Sequence, residues 1–491
     1  MHTSSRRRKK GEHSVVFSSL LFVFLFFSAN YVTQALMPDI RRKNIVMLVF
    51  SLVFYAWAGP RYLLLLLGMV GICWFTALRI GATYGKSQKK LWMIVGVALV
   101  LIILGVFKYT GFLLGNLKAL TGWPKVIPSI TLPIGISFYS FQLLSYVVDV
   151  YRDEVEPQRK YWLLLLYASL FHQCIAGPIV RYQDVNEDIL HRRVRNADLS
   201  AGITRFAVGL AKKAILANGC AAIADQLLLT DKAALSAVPA AGVWLGCLAY
   251  MLQIYLDFSA YSDMAIGMGL MCGFHYKENF NYPYVADSVT DFWRRWHISL
   301  STFFRDYVYI PLGGNRKGTG RQVFNMFVVW ALTGMWHGAS WNYVLWGLYW
   351  FVFLLLEKYP LRHTLERTPA ALRRVGVLLV VFFGWILFKF ESMSLLGTAL
   401  KGLFGGNGNG FTSLATGLLF KNNLWFLLFC CIAVTPLGKL LRNMLGNLGQ
   451  RSAVFRWIDA VWNVACPVLL LVLSAMALAG DSYNPFLYFQ F

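Results

Sequence analysis

Charged residues are scarce in this chain. Asp, Glu, Lys and Arg make up 14% of its 491 residues, whereas 57% are hydrophobic. A typical soluble domain has about 25% charged residues, and every polar segment here is short. The composition therefore excludes an ordinary soluble protein and predicts an all-α, polytopic integral membrane protein, with residues 1–491 forming a single membrane domain.

Acidic residues are the scarcer of the two charge types. There are 23 Asp and Glu residues against 46 Lys and Arg residues, which gives a formal charge of +23. The basic residues form short clusters between apolar runs, a placement that sets membrane topology and attracts anionic lipid headgroups. No soluble basic domain exists to carry nucleic acid, so we expect membrane lipids as partners and no nucleic acid.

The cysteines and glycines lack the patterns of metal and phosphate sites. None of the eight cysteines forms a Cys-x-x-Cys pair, so the sequence indicates neither a metal site nor a disulfide framework. The glycine-rich run at residues 405–410 has no strand before it and no Lys-Ser/Thr after it, so it is interpreted as a flexible loop.

Long apolar runs define the organisation of the chain. Residues 15–37 follow a basic cluster and lack a clear cleavage site, which predicts an uncleaved first span behind a cytosolic tail, residues 1–13. Later runs, such as residues 62–80 and 91–114, bring the prediction to roughly eleven crossings. Lys108, near the end of the 91–114 run, is predicted to snorkel to a membrane interface.

Several apolar segments contain polar residues that need an explanation. Residues 134–150 carry so many of them that we expect this segment to face a protein interior or a wet cavity. Residues 203–229 fit either an interfacial amphipathic helix or a poor span. Asp257 and Asp263 are costly in an apolar helix unless paired or wet. They are either functional or paired structurally with an arginine of the central stretch, residues 291–350.

The longest apolar run of the central stretch covers residues 323–335 and is followed directly by Trp336-His337-Gly338. A helix would place His337 roughly 20 Å from the basic turn at residues 316–321, well inside the hydrocarbon layer. Low hydration disfavours a charged imidazole, so His337 is predicted to be neutral and able to accept a proton. A satisfied core histidine is the alternative.

The same stretch opens with a basic aromatic segment that contains His297. One interpretation is a headgroup-level anchor, since Trp and Arg are common at membrane interfaces. In the other, Arg294 and Arg295 hold a phosphorylated donor while His297 assists. Near His337, the Trp336 indole can exclude water and Asn342 can orient a reacting group.

Two classes of function fit these residues. A transporter or flippase for an envelope precursor would also place His, Asp and Gly-Pro breaks at membrane depth, but it usually has two related halves, and the sequence shows no such symmetry. An acyltransferase between a cytosolic thioester and an outside hydroxyl needs one base reachable from both sides, which a single histidine provides.

Motifs along most of the chain resemble a known family. Residues 291–301, 305–317 and 336–343 resemble the membrane-bound O-acyltransferase family, in its bacterial alginate O-acetyltransferase branch. Further likeness lies in residues 176–182, 255–263 and 483–486, although Ala260 stands where the family motif has Gly. The turn at residues 310–316 favours this branch over the related teichoic-acid D-alanylation branch.

The resemblance implies a ring of transmembrane helices around a thinned centre, with short interfacial and re-entrant helices. It implies that His337 is the family's catalytic histidine and His297 its second histidine. The implied activity is acetyl transfer from a cytosolic thioester to hydroxyls of an exported or cell-envelope polysaccharide, often through a separate extracytoplasmic acetyltransferase or export partner. The implied location is the bacterial inner membrane. Acyl transfer from a carrier protein to teichoic acid or peptidoglycan is the alternative.

We therefore expect a membrane O-acyltransferase in which His337 removes a proton from the acceptor hydroxyl. Asp257 and Asn342 are expected to orient groups, and Trp336 to line the site. No bound cofactor or metal is expected, because acetyl-CoA or an acyl-carrier thioester supplies the acyl group.

Overall fold

The computed structural model describes residues 19–173, 177–480 and 486–487, and no β-strand occurs among them. The all-α prediction is confirmed. The predicted cytosolic tail, residues 1–13, lies outside the described residues.

The helices up to residue 272 are α1 (Leu21–Ala35), α2 (Ile40–Ala58), α3 (Pro60–Gly81), α4 (Lys86–Thr121), α5 (Ile136–Tyr151), α6 (Tyr161–Ser169), α7 (Tyr182–His191), α8 (Asn196–Leu227), α9 (Lys232–Ser236) and α10 (Ala240–Cys272). The later helices are α11 (Val289–Arg295), α12 (Ile298–Phe304), α13 (Thr319–His337), α14 (Trp341–Lys358), α15 (Arg362–Arg367), α16 (Ala370–Lys389), α17 (Met393–Leu403), α18 (Leu414–Ala433), α19 (Leu437–Arg451) and α20 (Ala453–Gly480). A π-helical turn, Arg305–Tyr309, continues α12.

The described residues contain seven helices that are long and apolar enough to cross a membrane, namely α3, α4, α8, α10, α16, α18 and α20. The protein is therefore a multi-pass membrane protein, but the predicted count of eleven crossings is not confirmed. Some predicted spans form shorter helices. The nine residues of α6 extend only about 14 Å at 1.5 Å per residue, whereas the hydrocarbon core is about 30 Å thick.

The structure decides between the two interpretations of residues 203–229. All but the last two of them belong to α8, a 32-residue helix that is mostly buried and packs along α10. Asp263 on α10 accepts hydrogen bonds from Arg205 (2.8 Å) and Lys212 (2.7 Å) on α8. This segment is thus an interior helix, and the basic residues that marked it as a poor span neutralise an acid on its neighbour.

The buried hydrophobic residues form two clusters. The first gathers α1 to α7 with the C-terminal part of α10, and the second gathers the N-terminal part of α10 with α11, α14, α16 and α17. Trp336, near the end of α13, belongs to the first cluster, whereas Trp346 on α14 belongs to the second. The C-terminal end of α13 therefore lies where the two clusters meet.

Contacts between charged loops define one face of the molecule, which we call the basic face. Lys89 pairs with Asp153 at 3.0 Å. Arg152 Nη2 donates to the Asp306 carbonyl oxygen at 2.9 Å, and Arg181 Nη2 donates to the Asp306 carboxylate at 2.6 Å. The start of α4, the end of α5 and the π-helical turn after α12 thus share this face.

Candidate active site

His337 is the last residue of α13 and is only 8% exposed. The helix ends there because Gly338 adopts an extended conformation (φ −172°, ψ 160°). The imidazole packs edge-on against Trp346, with ring centroids 4.8 Å apart, and against Phe388 at 5.3 Å. The structure therefore places His337 in an aromatic, water-poor environment, as the sequence predicted.

His297 occupies the junction between α11 and α12 in a left-handed conformation (φ 45°, ψ 54°), which is strained for a residue other than glycine. The side chain and carbonyl of Asn279 support this turn. The carbonyl accepts a hydrogen bond from Ile298 N (2.9 Å), and Oδ1 accepts from Ser299 N (3.1 Å) and Ser299 Oγ (2.9 Å). His297 is 1% exposed, so it packs inside the protein, which argues against the interpretation of His297 as a headgroup-level anchor.

The indole of Trp336 contacts both histidines. Its ring centroid lies 5.9 Å from that of His297 and 5.0 Å from that of His337, and both contacts are nearly perpendicular. Phe138 and Phe141 of α5 pack against the same indole at 5.3 Å and 5.7 Å. The structure therefore brings together three predicted site residues from two distant segments. Their catalytic roles stay predictions.

Asn342 lies beside this group but uses its amide to hold the wall of the site. Its Nδ2 donates to the carbonyl oxygens of Leu387 (3.3 Å) and Phe388 (3.4 Å), and its Oδ1 accepts from Ser340 Oγ. These bonds fix the end of α16, where Phe388 contacts His337. Asn342 thus orients the histidine's surroundings.

Asp257 pairs with a residue of α8. Its Oδ1 accepts from Lys213 Nζ at 2.6 Å, both side chains are buried, and its Oδ2 accepts from Leu487 N at 2.8 Å. Phe486 lies over Lys213 Nζ at 4.7 Å; the rest of the terminal motif, residues 483–485, lies outside the described residues. The alternative of a structural pair was right in kind, but the prediction of an arginine from the central stretch as its partner is wrong.

A cavity of about 570 Å³ opens beside α13, and we call it the basic cavity. It has three basic side chains, Arg305, Lys358 and Arg362, and one acidic side chain, Glu357. The remaining lining residues are mainly apolar and aromatic: Thr290, Trp293, Leu300, Ser301, Phe304, Tyr309, Met326, Val329, Trp330, Thr333 and Leu354.

The predicted donor-binding arginines are absent from this lining. Arg295 Nε donates to Asp291 at 2.8 Å, and Arg294 is exposed. Sequence reasoning missed Lys358 and Arg362, although both follow the apolar run that became α14. The Glu357 carboxylate accepts from Thr290 N (3.0 Å) and Val289 N, so its charge stabilises the start of α11.

The basic cavity reaches to within one helical turn of His337. Thr333, in its lining, precedes His337 by four residues, so both lie on the same face of α13 about 6 Å apart along the axis. Trp330 also lines the cavity, and its ring centroid lies 6.4 Å from Trp346, which contacts His337. Indole rings therefore stand between the cavity and the imidazole.

Two buried histidines around one indole, next to a basic cavity, lie within residues 136–399, the segment that matches the model of the membrane-bound O-acyltransferase family. The chain belongs to this family. It is an O-acyltransferase, and the resemblance seen in its motifs is confirmed.

Relatives matched over nearly the full length are O-acetyltransferases. The chain is 36% identical to the probable alginate O-acetylase AlgI of Azotobacter vinelandii, with 97% of this chain and 100% of the relative covered. It is 31% identical to the peptidoglycan O-acetyltransferase of Helicobacter pylori, with 97% and 98% covered. The teichoic acid D-alanyltransferase of Bacillus subtilis is more distant, at 26% identity with 53% and 68% covered. These matches support the alginate O-acetylase-like branch.

Proposed function

We propose that the protein moves acetyl groups from a cytosolic thioester donor to hydroxyls of an exported or cell-envelope polysaccharide, directly or through an extracytoplasmic partner. Two relatives that match over nearly the full length are named as a probable alginate O-acetylase and a peptidoglycan O-acetyltransferase. These names support the proposed class of acceptor. The observation that carries the proposal is the position of His337. It closes α13 at the end opposite the basic turn, one helical turn beyond the basic cavity.

In the proposed reaction, His337 removes the proton of the acceptor hydroxyl while the hydroxyl oxygen attacks the thioester carbonyl. The carbon–sulfur bond then breaks, and the thiolate leaves and takes the proton from the imidazolium. His297 assists by packing against the Trp336 indole, which also contacts His337. This packing keeps the indole in contact with His337.

The donor is proposed to enter from the basic face. Arg305, Lys358 and Arg362 would bind its phosphates, because guanidinium and ammonium groups are the usual phosphate ligands. Arg305 Nε already donates to Asp306 at 2.7 Å and Arg362 Nε to Glu366 at 3.0 Å, so the phosphates would bind through the remaining N–H groups of these two guanidinium groups. A pantetheine chain would then run along α13 from Met326 to Thr333. The three basic residues of the cavity would take the donor-binding role that was expected of Arg294 and Arg295, since the cavity that they line leads towards His337.

The proposed orientation places the basic face in the cytosol of a bacterium, with the protein in the inner membrane and its N-terminus inside. The positive-inside bias favours this orientation, because Arg316, Lys317 and Arg321 surround the start of α13. Since α13 has 19 residues, His337 would lie about 27 Å from the cytosolic end, where an extracytoplasmic acceptor can reach it.

The base is tested by replacing His337 with Ala in membranes supplied with radiolabelled acetyl-CoA. We expect label incorporation into polysaccharide to fall at least about 100-fold, the low end of the contribution of general-base catalysis, at unchanged protein level. His363→Ala is the matched control, because the His363 side chain is 87% exposed on α15. Transfer retained by His337→Ala would refute the role of the base.

The donor route is tested by filling the cavity. Thr333 is 5% exposed and lines the cavity, whereas its neighbour Leu332 is 39% exposed on the outer surface of α13. Thr333→Trp should abolish transfer from the donor, and Leu332→Trp should retain it. Parallel assays with acetyl-CoA and with an acylated carrier protein identify the donor. Equal activity of the two variants would exclude this route.

A further inference from the structure

The C-terminal end of α13 is held by another helix. The last carbonyl groups of a helix have no partners within it, and α13 stops abruptly at the extended Gly338. Two of these carbonyl groups are bound by α4. Tyr109 Oη donates to the Met335 oxygen at 2.8 Å, and Lys108 Nζ donates to the Trp336 oxygen. Both acceptors immediately precede His337.

Lys108 also joins α5 to this contact. Its Nζ donates to Ser137 Oγ at 3.2 Å and lies 5.7 Å from the centroid of the Trp336 ring. The amine of Lys108 therefore binds protein groups of α5 and α13, and its predicted snorkelling to a membrane interface stays a prediction. A lysine within a membrane span is costly unless such partners exist.

We propose that Lys108 is a positioning residue for acyl transfer, with Tyr109 as its companion. By binding the Trp336 carbonyl group, Lys108 fixes the last turn of α13 and, with it, both the indole shared by the histidines and the His337 ring. A displacement of about 1 Å at reacting groups can reduce the rate about 100-fold. The consequence for catalysis rests on the proposed function of His337.

The mechanical part of the proposal is tested without any substrate. Hydrogen exchange of the amides in residues 334–343 should be faster in Lys108→Met and in Tyr109→Phe than in the wild type. Lys118→Met is the matched control, because Lys118 lies on the same helix and its Nζ also donates to a backbone carbonyl group, that of Lys125 at 3.0 Å. Unchanged exchange in Lys108→Met would overturn the proposal.

The catalytic part is tested by steady-state transfer from acetyl-CoA. Lys108→Met should lower kcat at least tenfold with little change in KM for the donor, and Lys108→Arg, which keeps N–H donors, should recover part of the loss. A raised KM at normal kcat, or a loss equal to that of Lys118→Met, would reject the positioning role. Inactive wild-type protein would instead refute the proposed function, while the exchange result would still decide whether Lys108 holds the helix end.

Discussion

A close contact between the backbones of α13 and α14 predicts how sensitive acyl transfer is to the position of His337. Gly334 faces Gly347 across this contact. A Cβ atom on Gly334 would lie 2.4 Å from the carbonyl oxygen of Tyr343, and one on Gly347 would lie 2.4 Å from the carbonyl oxygen of Trp330. Small residues allow membrane helices to pack this closely. Both obstacles are backbone atoms, which cannot rotate away.

Gly334→Ala should therefore separate the two helices. An ordinary Cβ contact is at least 3.4 Å, so the backbones must move apart by about 1 Å. His337 follows Gly334 by three residues, and its neighbour Trp346 follows Tyr343 by three. We expect kcat/KM to fall about 100-fold, because a 1 Å misplacement has effects of that size. This loss corresponds to about 2.7 kcal/mol of transition-state stabilisation.

The assay is acetyl transfer by purified protein, with melting curves to confirm folding. Gly320→Ala is the control, because Gly320 lies on the same helix and no atom lies within 4 Å of a Cβ added there. Activity of Gly334→Ala within about twofold of Gly320→Ala would refute the argument that this contact places His337.

Three further predictions follow from buried or half-buried polar groups. Asn279→Ala should release the strained turn at His297, which lowers the free energy of unfolding by about 1–3 kcal/mol and also lowers kcat. Melting curves and transfer rates test this prediction, and wild-type values of both would contradict it. Lys213→Met should destabilise the protein by about 3–5 kcal/mol, because Asp257 is then buried without its cation. Adding Asp257→Leu should restore the amount of folded protein in membrane fractions. If the double variant does not recover, the pairing argument is contradicted. Burial alone would raise the pKa of Asp306, but hydrogen bonds from two arginines hold it below its usual value. This carboxylate therefore stabilises the fold above the unfolded pKa of about 3.9, and the stabilisation is lost as pH falls through the lower folded pKa. The melting temperature should drop between pH 5 and pH 3 less in Asp306→Asn than in the wild type, and equal drops would contradict this assignment.

The sequence predicted those helices that are marked by a long apolar run. The predicted span at residues 62–80 became α3, and residues 91–114 lie within α4, because the length of an apolar run is visible without knowing its neighbours. The partners of charged residues inside the helices could not be predicted from the local sequence. The partner of Lys108 lies 228 positions away, and the pair Lys213 and Asp257 is 44 positions apart.

The candidate site shows the same division. His337, His297 and Trp336 could be named as candidates because each lies in a short motif with unusual composition, and the structure brings them together. Lys358 and Arg362 were missed because they lie beyond the central stretch, and only the fold brings them beside Arg305. The side chains of Arg294 and Arg295 could not be placed from the sequence, because the direction in which they point depends on the rotation of α11 about its axis. The seven residues of α11 are too few for a periodic pattern to reveal it.

The Trp336 indole has a consequence for inhibitor design. Because both histidines rest on this one ring, a compound that rotated the indole out of its place would disturb both of them through a single contact. Escape by substitution of Trp336 would remove the same support from His297 and His337, so under the proposed mechanism a resistant variant would also lose acyl transfer.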